Sequence, residues 1–511
     1  MKHVSFILPV LTLATVSAGL MSFSLKPLMA YANRPVDRLI ESSDRRTVDR
    51  SAGDAQSMKG VAAAATDNAV DAVVEQLMRD RNIPGISLAV VHDGKLIKTQ
   101  GYGLLDRDRN IRTRPSSVFP IASMSKPFTA QGIMLLVQAG KVSLEAPIST
   151  YLPNTPDHWA DITVRHLLTH TAGLSETVYE SDINTLVTSD SFLQEAAKAP
   201  LDFQPGESWM YSNTGYYLAA IIIENVSEQP FDTFMERRIF GPLGLNHTDA
   251  LRDSYVFNNR ALGYAASGNG RAVEPIDFNF RLLPKFMPSL QGAGSITSTV
   301  LDVARWEIAM QKGQLLDLAA QGDMQQPVVM NSGRTFHYGL GWFLKQVQGH
   351  QVISHGGNIW GYSTSISRFP GDGLTVILLA NKDNEQGDEL AMKIAEQYVP
   401  GLVIDPAAPA IADPNPALTG QLLNYLNGDE QAISLTPEWQ LSLSTPRGQG
   451  ILRAGLSDMA RIETLELLAQ EEHANGMRYR YRGVTPQSHH LINAIITPDG
   501  MLAALGGTTE E

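Results

Sequence analysis

The sequence predicts an α+β fold, arranged as an α/β sandwich, in which both ends of one large domain contribute strands to a single antiparallel sheet. Two observations predict it: a hairpin pattern lies near the start of the ordered region, and a group of strand patterns lies far downstream. Mostly helical sequence separates the two. The economical arrangement joins both strand regions in one sheet and inserts the helical stretch as a second lobe. A functional site is expected in the cleft between the lobes.

The composition narrows the classes of protein to which the chain can belong. Its 511 residues, 43% of them hydrophobic, suffice for a large buried core and exceed one typical domain. The net charge of −13 argues against a nucleic-acid partner and against an anionic membrane surface. The chain has no cysteine, so it has neither a disulfide framework nor a thiolate nucleophile.

The N-terminus has the pattern of a signal peptide. Lys2 precedes an apolar run that reaches about Leu20, and Ala30-Tyr31-Ala32 offers small residues where a signal peptidase cleaves. We interpret residues 1–32 as a cleaved signal, so the mature protein is expected in the periplasm of a bacterium or outside the cell, with no stable membrane span. An uncleaved anchor is the alternative, although the run is marginal in length for a span.

The next segments are a leader and a first helix. Residues 33–66 are predicted to be a flexible leader, because their first part is charge-rich and lacks apolar periodicity. Residues 67–80 place apolar side chains on one helical face, and Asp67 is a plausible N-cap.

The strand patterns follow in two groups. Residues 86–91 and 95–102 flank Asp93-Gly94, a strong signal for a type I′ hairpin turn. The downstream strands are expected over residues 338–348, 351–355, 364–369 and 374–380. Together with the helical middle they define a domain over 67–402.

The C-terminal part is predicted to be a separate unit. Several prolines among alanines make 403–414 a linker. Residues 415–511 are expected to form a small α+β accessory domain, with a helix over 418–426. Its strands are expected over residues 464–471, 477–482, 490–497 and 501–504.

The first chemical motif is Ser123-Met124-Ser125-Lys126, which precedes a predicted helix that ends near Gln138. The spacing puts Ser123 and Lys126 on one helical face. Such a pair suits a serine hydrolase in which lysine helps to take the serine proton. A serine at a helix N-terminus also lies in positive potential, near backbone N–H groups that can bind an oxyanion. The alternative is a serine that caps its helix beside a solvated lysine.

Two further motifs follow in order. In Tyr211-Ser212-Asn213, a tyrosine beside a lysine could have a lowered pKa and act as a base. Asn213 could orient Lys126 and bind a substrate carbonyl, or it could cap the next helix. His355-Gly356-Gly357 ends a predicted strand, where glycines would let a substrate backbone approach.

Two other histidines, His166 and His170, are four residues apart and would share a helix face as metal ligands do. The acidic residue of the H-E-x-x-H motif is absent, because Leu167 follows His166. We therefore interpret both as structural and expect no metal.

The three motifs, in this order, resemble the serine β-lactamase and penicillin-binding-protein superfamily. The resemblance is closest to class C β-lactamase-like serine hydrolases, which include D-stereospecific peptidases and esterases. It spans about residues 67–400 and includes 162–174 and 292–295, which look like framework segments of that family.

The resemblance implies a role for each motif residue. Ser123 would be the acylated nucleophile, Lys126 and Tyr211 would share the base and acid roles, and Asn213 would position the substrate amide. The backbone N–H groups of Ser123 and Asn358 would form the oxyanion hole. No metal or cofactor is implied.

One departure from the family pattern bears on the substrate. Where β-lactamases and carboxypeptidases carry lysine in the third motif, this chain has His355, which is mostly neutral at pH 7. This favours esters and (D-)amino-acid amides or short peptides over β-lactams and free carboxylates. His355 would bind substrate with Gly357, or only brace the site by hydrogen bonding. Two alternatives stay open: β-lactamase or D,D-carboxypeptidase activity, and a catalytically silent binding or regulatory module.

Overall fold

The computed structural model of the protein describes most of the chain from residue 53 onward. The described residues are 5–7, 53–176, 188–250, 259–266, 273–275, 290–403, 405, 407–446, 448–449, 461–473, 475–486 and 488–510. Apart from residues 5–7, the predicted signal peptide lies outside them, as does the leader up to residue 52. Among these residues, no helix combines the length and apolar character that a membrane span requires.

Helices occupy the middle of the chain and flank it on both sides. They are α1 Gly53–Asp80, α2 Ser125–Gln138, α3 Val164–Thr169, α4 Ser189–Ala196, α5 Asn213–Ser227, α6 Phe231–Met235, α7 Gly241–Leu243, α8 Val300–Gln311, α9 Leu318–Met324, α10 Gly387–Ala395, α11 Pro416–Leu426 and α12 Pro437–Ser444. A 3-10 turn at Ala122–Met124 leads into α2.

Strands concentrate near the start, in the downstream part and at the end. They are β1 Ser5–Ile7, β2 Gly85–His92, β3 Lys95–Asp106, β4 Ile111–Arg112, β5 Phe119–Pro120, β6 Asp249–Ala250, β7 Tyr264–Ala266, β8 Val273–Pro275, β9 Ile296–Ser298, β10 Val328–Val329, β11 Thr335–Phe336, β12 Phe343–Val347, β13 His350–Ile359, β14 Tyr362–Phe369, β15 Leu374–Ala380, β16 Thr464–His473, β17 Gly476–Val484, β18 His489–Ile496 and β19 Leu502–Glu510.

The main sheet joins the early hairpin to the downstream strands. Its order is β12-β13-β14-β15-β2-β3-β4, and every neighbouring pair is antiparallel. The junction is the ladder between β15 and β2, in which Ile377 pairs with Ala89. Asp93 and Gly94 have φ values of 49° and 68°, as a type I′ turn requires. The predicted fold class is confirmed.

Helices cover both faces of this sheet. Successive residues of a strand point to opposite faces, so Leu88 packs with α1 and α10 while Ala89 packs with α2, α5 and α8. The apolar cluster on the Ala89 side of the sheet is the larger of the two, and it contains the start of α2. The beginning of α2 therefore lies where the sheet meets the helical lobe.

The first helix differs from the sequence prediction. It begins at Gly53 rather than at Asp67, so Asp67 lies inside α1 and is not its N-cap. The run Val61-Ala62-Ala63-Ala64-Ala65 contains some of the strongest helix formers, which extends the helix upstream. The leader predicted as flexible is therefore helical over residues 53–66.

The C-terminal region, defined here as α11, α12 and β16 to β19, has its own sheet and apolar cluster. The sheet order is β1-β19-β18-β17-β16, and its apolar face packs on Leu422 and Trp439 of the two helices. The four predicted strands and the predicted helix are present. The helix and the first three strands lie within two residues of their expected bounds, whereas β19 extends to Glu510, six residues beyond its expected end. The domain limits at 402 and 415 stay a prediction.

Candidate active site

Ser123 lies in a turn directly before α2. The turn is the 3-10 segment Ala122–Met124, and α2 itself begins at Ser125. Ala122 has φ 48°, in the left-handed region that a residue with a Cβ rarely adopts. The Ser123 side chain is half-buried, while the residues on either side of it are buried. Ser123 is thus presented from a strained turn at the positive end of the α2 dipole.

Strands β13 and β14 hold this turn in place. Thr364 Oγ1 donates a hydrogen bond of 2.9 Å to Ile121 O. A Cβ built on Gly357 would lie 2.2 Å from Ile121 O and 3.1 Å from Ala122 Cβ. Gly357 is therefore required by the close approach of the chain's own backbone. The sequence interpretation, in which the glycine makes room for substrate, stays a prediction.

Asn358 follows Gly357 on the same strand and is exposed. The ladder between β12 and β13 ends at the pair Phe343 and Ser354, and β13 continues beyond it. The Asn358 side chain accepts a hydrogen bond of 3.2 Å from Asn384 N, on the side of β14 and β15. The residue before Asn358, Gly357, is the one that closely approaches Ile121 O.

Lys126 lies at the centre of the candidate site. Its side chain is fully buried, and Nζ donates to Ser123 Oγ at 3.2 Å, Asn213 Oδ1 at 2.7 Å and Ala293 O at 2.8 Å. An ammonium group has three N–H donors and no acceptor, so these three oxygens satisfy it. Nζ also lies 4.6 Å from the centroid of the Tyr211 ring. Three oxygens and the face of one aromatic ring therefore surround Lys126 Nζ.

The carbonyl of Ala293 was not found from the sequence. It belongs to the segment 292–295, which was noted only as framework. Thr129 Oγ1 donates to Gly292 O at 2.7 Å, which fastens the segment to α2. Gly292 has φ 71°, and a Cβ there would lie 2.6 Å from Tyr216 O. A backbone acceptor carries no residue-type signal, so only the glycines around it pointed to this position.

Asn213 is oriented from two sides. It is the first residue of α5; its Oδ1 accepts from Lys126, and its Nδ2 donates to Glu176 Oε2 at 3.4 Å. The other oxygen of Glu176 accepts from Thr214 N at 3.1 Å. Glu176 was missed because no motif surrounds it. The N-cap of α5 is Ser212, whose side chain accepts from Gly215 N, so Asn213 does not cap the helix.

Tyr211 packs between Lys126 and His170. Its side chain is only 5% exposed, and the His170 ring lies 4.4 Å away, centroid to centroid. His170 also binds the backbone on both sides of the tyrosine: its carbonyl accepts from Met210 N and its Nδ1 from Ser212 N, each at 3.0 Å. His170 thus fixes the backbone that carries Tyr211.

The two histidines His166 and His170 do not share a helix face. The helix α3 ends at Thr169, and His170 has φ 63°, a left-handed C-cap. His166 instead completes a capping box, in which its Nδ1 accepts from Thr163 N at 3.2 Å. The expected common face is therefore wrong, and each ring serves a different backbone contact.

His355 lies behind the site and is fully buried. Its Nδ1 is 2.7 Å from Gly356 O; because a carbonyl only accepts, Nδ1 carries the proton, and Nε2 accepts from Tyr338 OH at 3.0 Å. Burial, and then the positive charge of Lys126, lower the pKa of His355 to about 3. Burial raises the pKa of Tyr338 well above 10, so its hydroxyl stays a donor. These contacts match the bracing alternative for His355 rather than substrate binding.

The predicted site residues thus fall into two groups. Ser123, Tyr211 and Asn213 meet around Lys126 Nζ. Gly357 touches the backbone before Ser123. His355 of the same motif is fully buried, and Asn358, the residue after the motif, is exposed.

The chain is similar in sequence to known proteins. A family model described as Beta-lactamase matches residues 70–399. The chain is 32% identical over 329 residues to penicillin-binding protein 4* of Bacillus subtilis (strain 168), covering 61% of this chain and 71% of that protein.

Solved structures show the same architecture. D-amino acid amidase from Ochrobactrum anthropi SV3 complexed with D-phenylalanine superposes with a TM-score of 0.56 at 26% identity, over 65% of this chain and 98% of the amidase. The octameric penicillin-binding protein homologue from Pyrococcus abyssi gives a TM-score of 0.58 over 86% of this chain and 99% of that one. At 19% identity, this second likeness concerns the fold alone.

Proposed function

Because the chain belongs to the β-lactamase family, we propose that it is a serine hydrolase that works through an acyl-enzyme on Ser123. The observation that carries the proposal is the buried Lys126 ammonium, whose Nζ binds Ser123 Oγ at 3.2 Å and Asn213 Oδ1 at 2.7 Å. A solvated helix lysine, which was the alternative, would be exposed; this one is fully buried.

In the proposed first step, Ser123 Oγ attacks the substrate carbonyl carbon. The Oγ–C bond forms as the serine proton passes to the pair Lys126 and Tyr211, which share the base role and of which one member, the lysine amine or the tyrosine phenolate, is deprotonated when the step begins. The tetrahedral intermediate then collapses, and the same pair returns the proton to the departing alcohol or amine. Water attacks the acyl-enzyme in the second step, and its proton returns to Ser123 Oγ as the acid leaves.

When Lys126 is protonated, its positive charge also acts on the oxygens near it. It lies 4.6 Å from the Tyr211 ring centroid, so it stabilises negative charge on both the serine oxygen and the phenol oxygen. We assign the oxyanion contacts to the backbone N–H groups of Ser123 and Asn358. The close approach of Gly357 to Ile121 O supports this assignment, because it brings β13 against the turn of Ser123.

The proposed substrates are esters and (D-)amino-acid amides or short peptides. The third motif supplies no fixed cation, because His355 is buried and both of its ring nitrogens are used within the protein. A substrate carboxylate would find no charge at this position. The likeness to D-amino acid amidase supports the amide part of the proposal. We also propose that the protein is exported, through the signal peptide predicted at residues 1–32.

Acylation by β-lactams is the second candidate. It is favoured by the 32% identity to penicillin-binding protein 4*. Under this reading the protein would be a β-lactamase or a D,D-carboxypeptidase, and the substrate carboxylate would be bound without a third-motif lysine.

A labelling experiment separates the candidates. The purified protein is treated with a fluorophosphonate or with a labelled penicillin, its intact mass is measured, and nitrophenyl esters and D-phenylalanine amide are tested for turnover. We expect a fluorophosphonate adduct and ester or amide turnover, both lost in Ser123→Ala. A stable penicillin adduct without ester or amide turnover would favour the second candidate. A protein with no adduct and no turnover would contradict both.

A further inference from the structure

The C-terminal region contacts the segment that carries Tyr211. Ser208 Oγ donates to Glu438 O at 2.8 Å and lies 2.7 Å from Ser442 Oγ. Ser442 Oγ in turn donates to Trp209 O at 3.1 Å. The two hydroxyl protons can fill two of these three contacts at a time, and the contacts join α12 to Ser208 and Trp209, three and two residues before Tyr211.

The residues that make these contacts on the catalytic side are buried. Ser208 is 1% exposed and Trp209 is 3% exposed, and the Trp209 ring stacks on Phe336 at 4.0 Å. Buried polar groups that lose a partner are costly, so the position of the Trp209 carbonyl depends on the hydroxyl it binds. The segment is thus held by His170 on both sides of Tyr211 and, in addition, by Ser442 at the carbonyl of Trp209.

The helix α12 is itself anchored to the C-terminal sheet. Thr436 N, at the start of α12, donates to Leu502 O at 3.0 Å, and Leu502 N donates to Ser434 O at 2.8 Å. Arg334 adds an ion pair with Glu438 at 3.1 Å. The sheet, the helix and the second motif therefore form one continuous set of contacts.

We propose that Ser442 is a positioning residue for Tyr211, through which the C-terminal region takes part in setting the geometry of the active site. The proposal rests on the proposed function, because it concerns the tyrosine that shares the base role with Lys126. It gives the C-terminal region a part in catalysis without any contact to substrate. A small displacement of a catalytic group by a distant change is enough to lower the rate.

The test compares Ser442→Ala with two matched variants of the full-length protein. Ser444 lies on the same helix, is exposed, and donates only to Leu441 O of its own helix. We expect Ser442→Ala to lower kcat for a nitrophenyl ester about tenfold, with KM within about twofold. Ser444→Ala should match wild type, and Ser442→Thr, which keeps the hydroxyl, should restore kcat. A kcat loss without a KM change, rescued by threonine, is not expected from general destabilisation.

A double-mutant cycle provides the second measurement. Ser208→Ala removes the Ser208–Ser442 contact from the catalytic side but keeps the bond from Ser442 Oγ to Trp209 O, so its kcat loss should be no larger than that of Ser442→Ala. The double variant should lose no more than the larger single loss, because both changes break one unit. Wild-type kcat in both single variants, equal losses in Ser442→Ala and Ser444→Ala, or multiplying losses in the double variant would overturn the inference. A wild-type protein that turns over no ester or amide would instead overturn the proposed function, on which the inference rests.

Discussion

Lys126 Nζ lies closer to Asn213 Oδ1, at 2.7 Å, than to Ser123 Oγ, at 3.2 Å. The asparagine of the second motif therefore holds the lysine, and the serine receives the longer contact. This order leaves Ser123 Oγ less constrained than the group that activates it. The second motif thus contacts the lysine of the first, although the two are far apart in sequence.

Replacement of the central lysine tests its role in proton transfer. Lys126→Met keeps the apolar stem and removes the ammonium, so kcat/KM for an ester should fall by about 10²–10⁴-fold. Asn213 Oδ1 and Ala293 O would lose their donor, which should lower the free energy of unfolding by about 1–3 kcal/mol. Ester kinetics and denaturant unfolding measure the two effects. Lys312→Met is the control, because Lys312 is exposed, and unchanged kinetics in Lys126→Met would contradict the assignment.

The orientation of Asn213 should depend on Glu176. In Glu176→Gln, an amide N–H₂ would face Asn213 Nδ2 or Thr214 N, so two donors would meet and one contact would be lost. We expect kcat about tenfold lower, which corresponds to the loss of about one hydrogen bond to a charged group. Steady-state kinetics measures it. The control is Glu145→Gln, since Glu145 is 69% exposed and pairs only with Arg165 among the contacts resolved for it.

The close approach at Gly357 gives a prediction for stability and activity together. Gly357→Ala would place a Cβ 2.2 Å from Ile121 O, so the Ser123 turn or β13 must shift. The free energy of unfolding should fall by about 1–3 kcal/mol, and ester turnover should fall with it. Gly371→Ala is the matched control, because a Cβ at Gly371 would meet no atom within 4 Å. Equal thermal midpoints for the two variants would show that the close approach is not required.

Acid should destabilise the protein through His355. Its pKa is lowered from 6.5 to about 3 by burial and by the charge of Lys126, so the folded protein holds the ring neutral. Between these pH values the unfolded chain binds the additional proton, and the free energy of unfolding should fall as the pH falls from about 6.5 to 3. His337 and His473 contribute in the same direction, with pKa values lowered to about 4 and about 3.

His355→Asn should therefore reduce the pH dependence of stability without abolishing it. Urea unfolding at several pH values between 3 and 7 measures the slope. His158→Asn serves as the control. The His158 side chain is already exposed in the folded protein, so unfolding changes its surroundings far less than those of His355. An unchanged slope in His355→Asn would contradict the assignment of a buried neutral imidazole.

The main sheet was predictable because its signals are local. Mostly apolar runs mark β2 and β15, and Asp93-Gly94 marks the turn that folds β2 onto β3. The start of α1 was not predictable in this way, because the charge-rich residues of the leader indicated a flexible segment although an alanine run follows them. Helix propensity acts over many residues and is read poorly from one polar stretch.

The site was predictable as far as side chains carry signals. Ser123, Lys126, Tyr211 and Asn213 are brought together as their motifs suggested. The role of the Ala293 carbonyl was not predictable, since every residue type has a backbone carbonyl. The burial of His355 was not either, because it depends on Tyr338 and on the packing of strands, which spacing in the sequence does not reveal.

The central claim is that Ser123 is the nucleophile, and covalent labelling of that residue tests it most directly. The full-length protein is treated with a fluorophosphonate, digested and mapped by peptide mass spectrometry beside Ser123→Ala. We predict one adduct, on the peptide that contains Ser123, and none in the variant. An adduct on another residue, or an unchanged adduct and unchanged ester turnover in Ser123→Ala, would contradict the account.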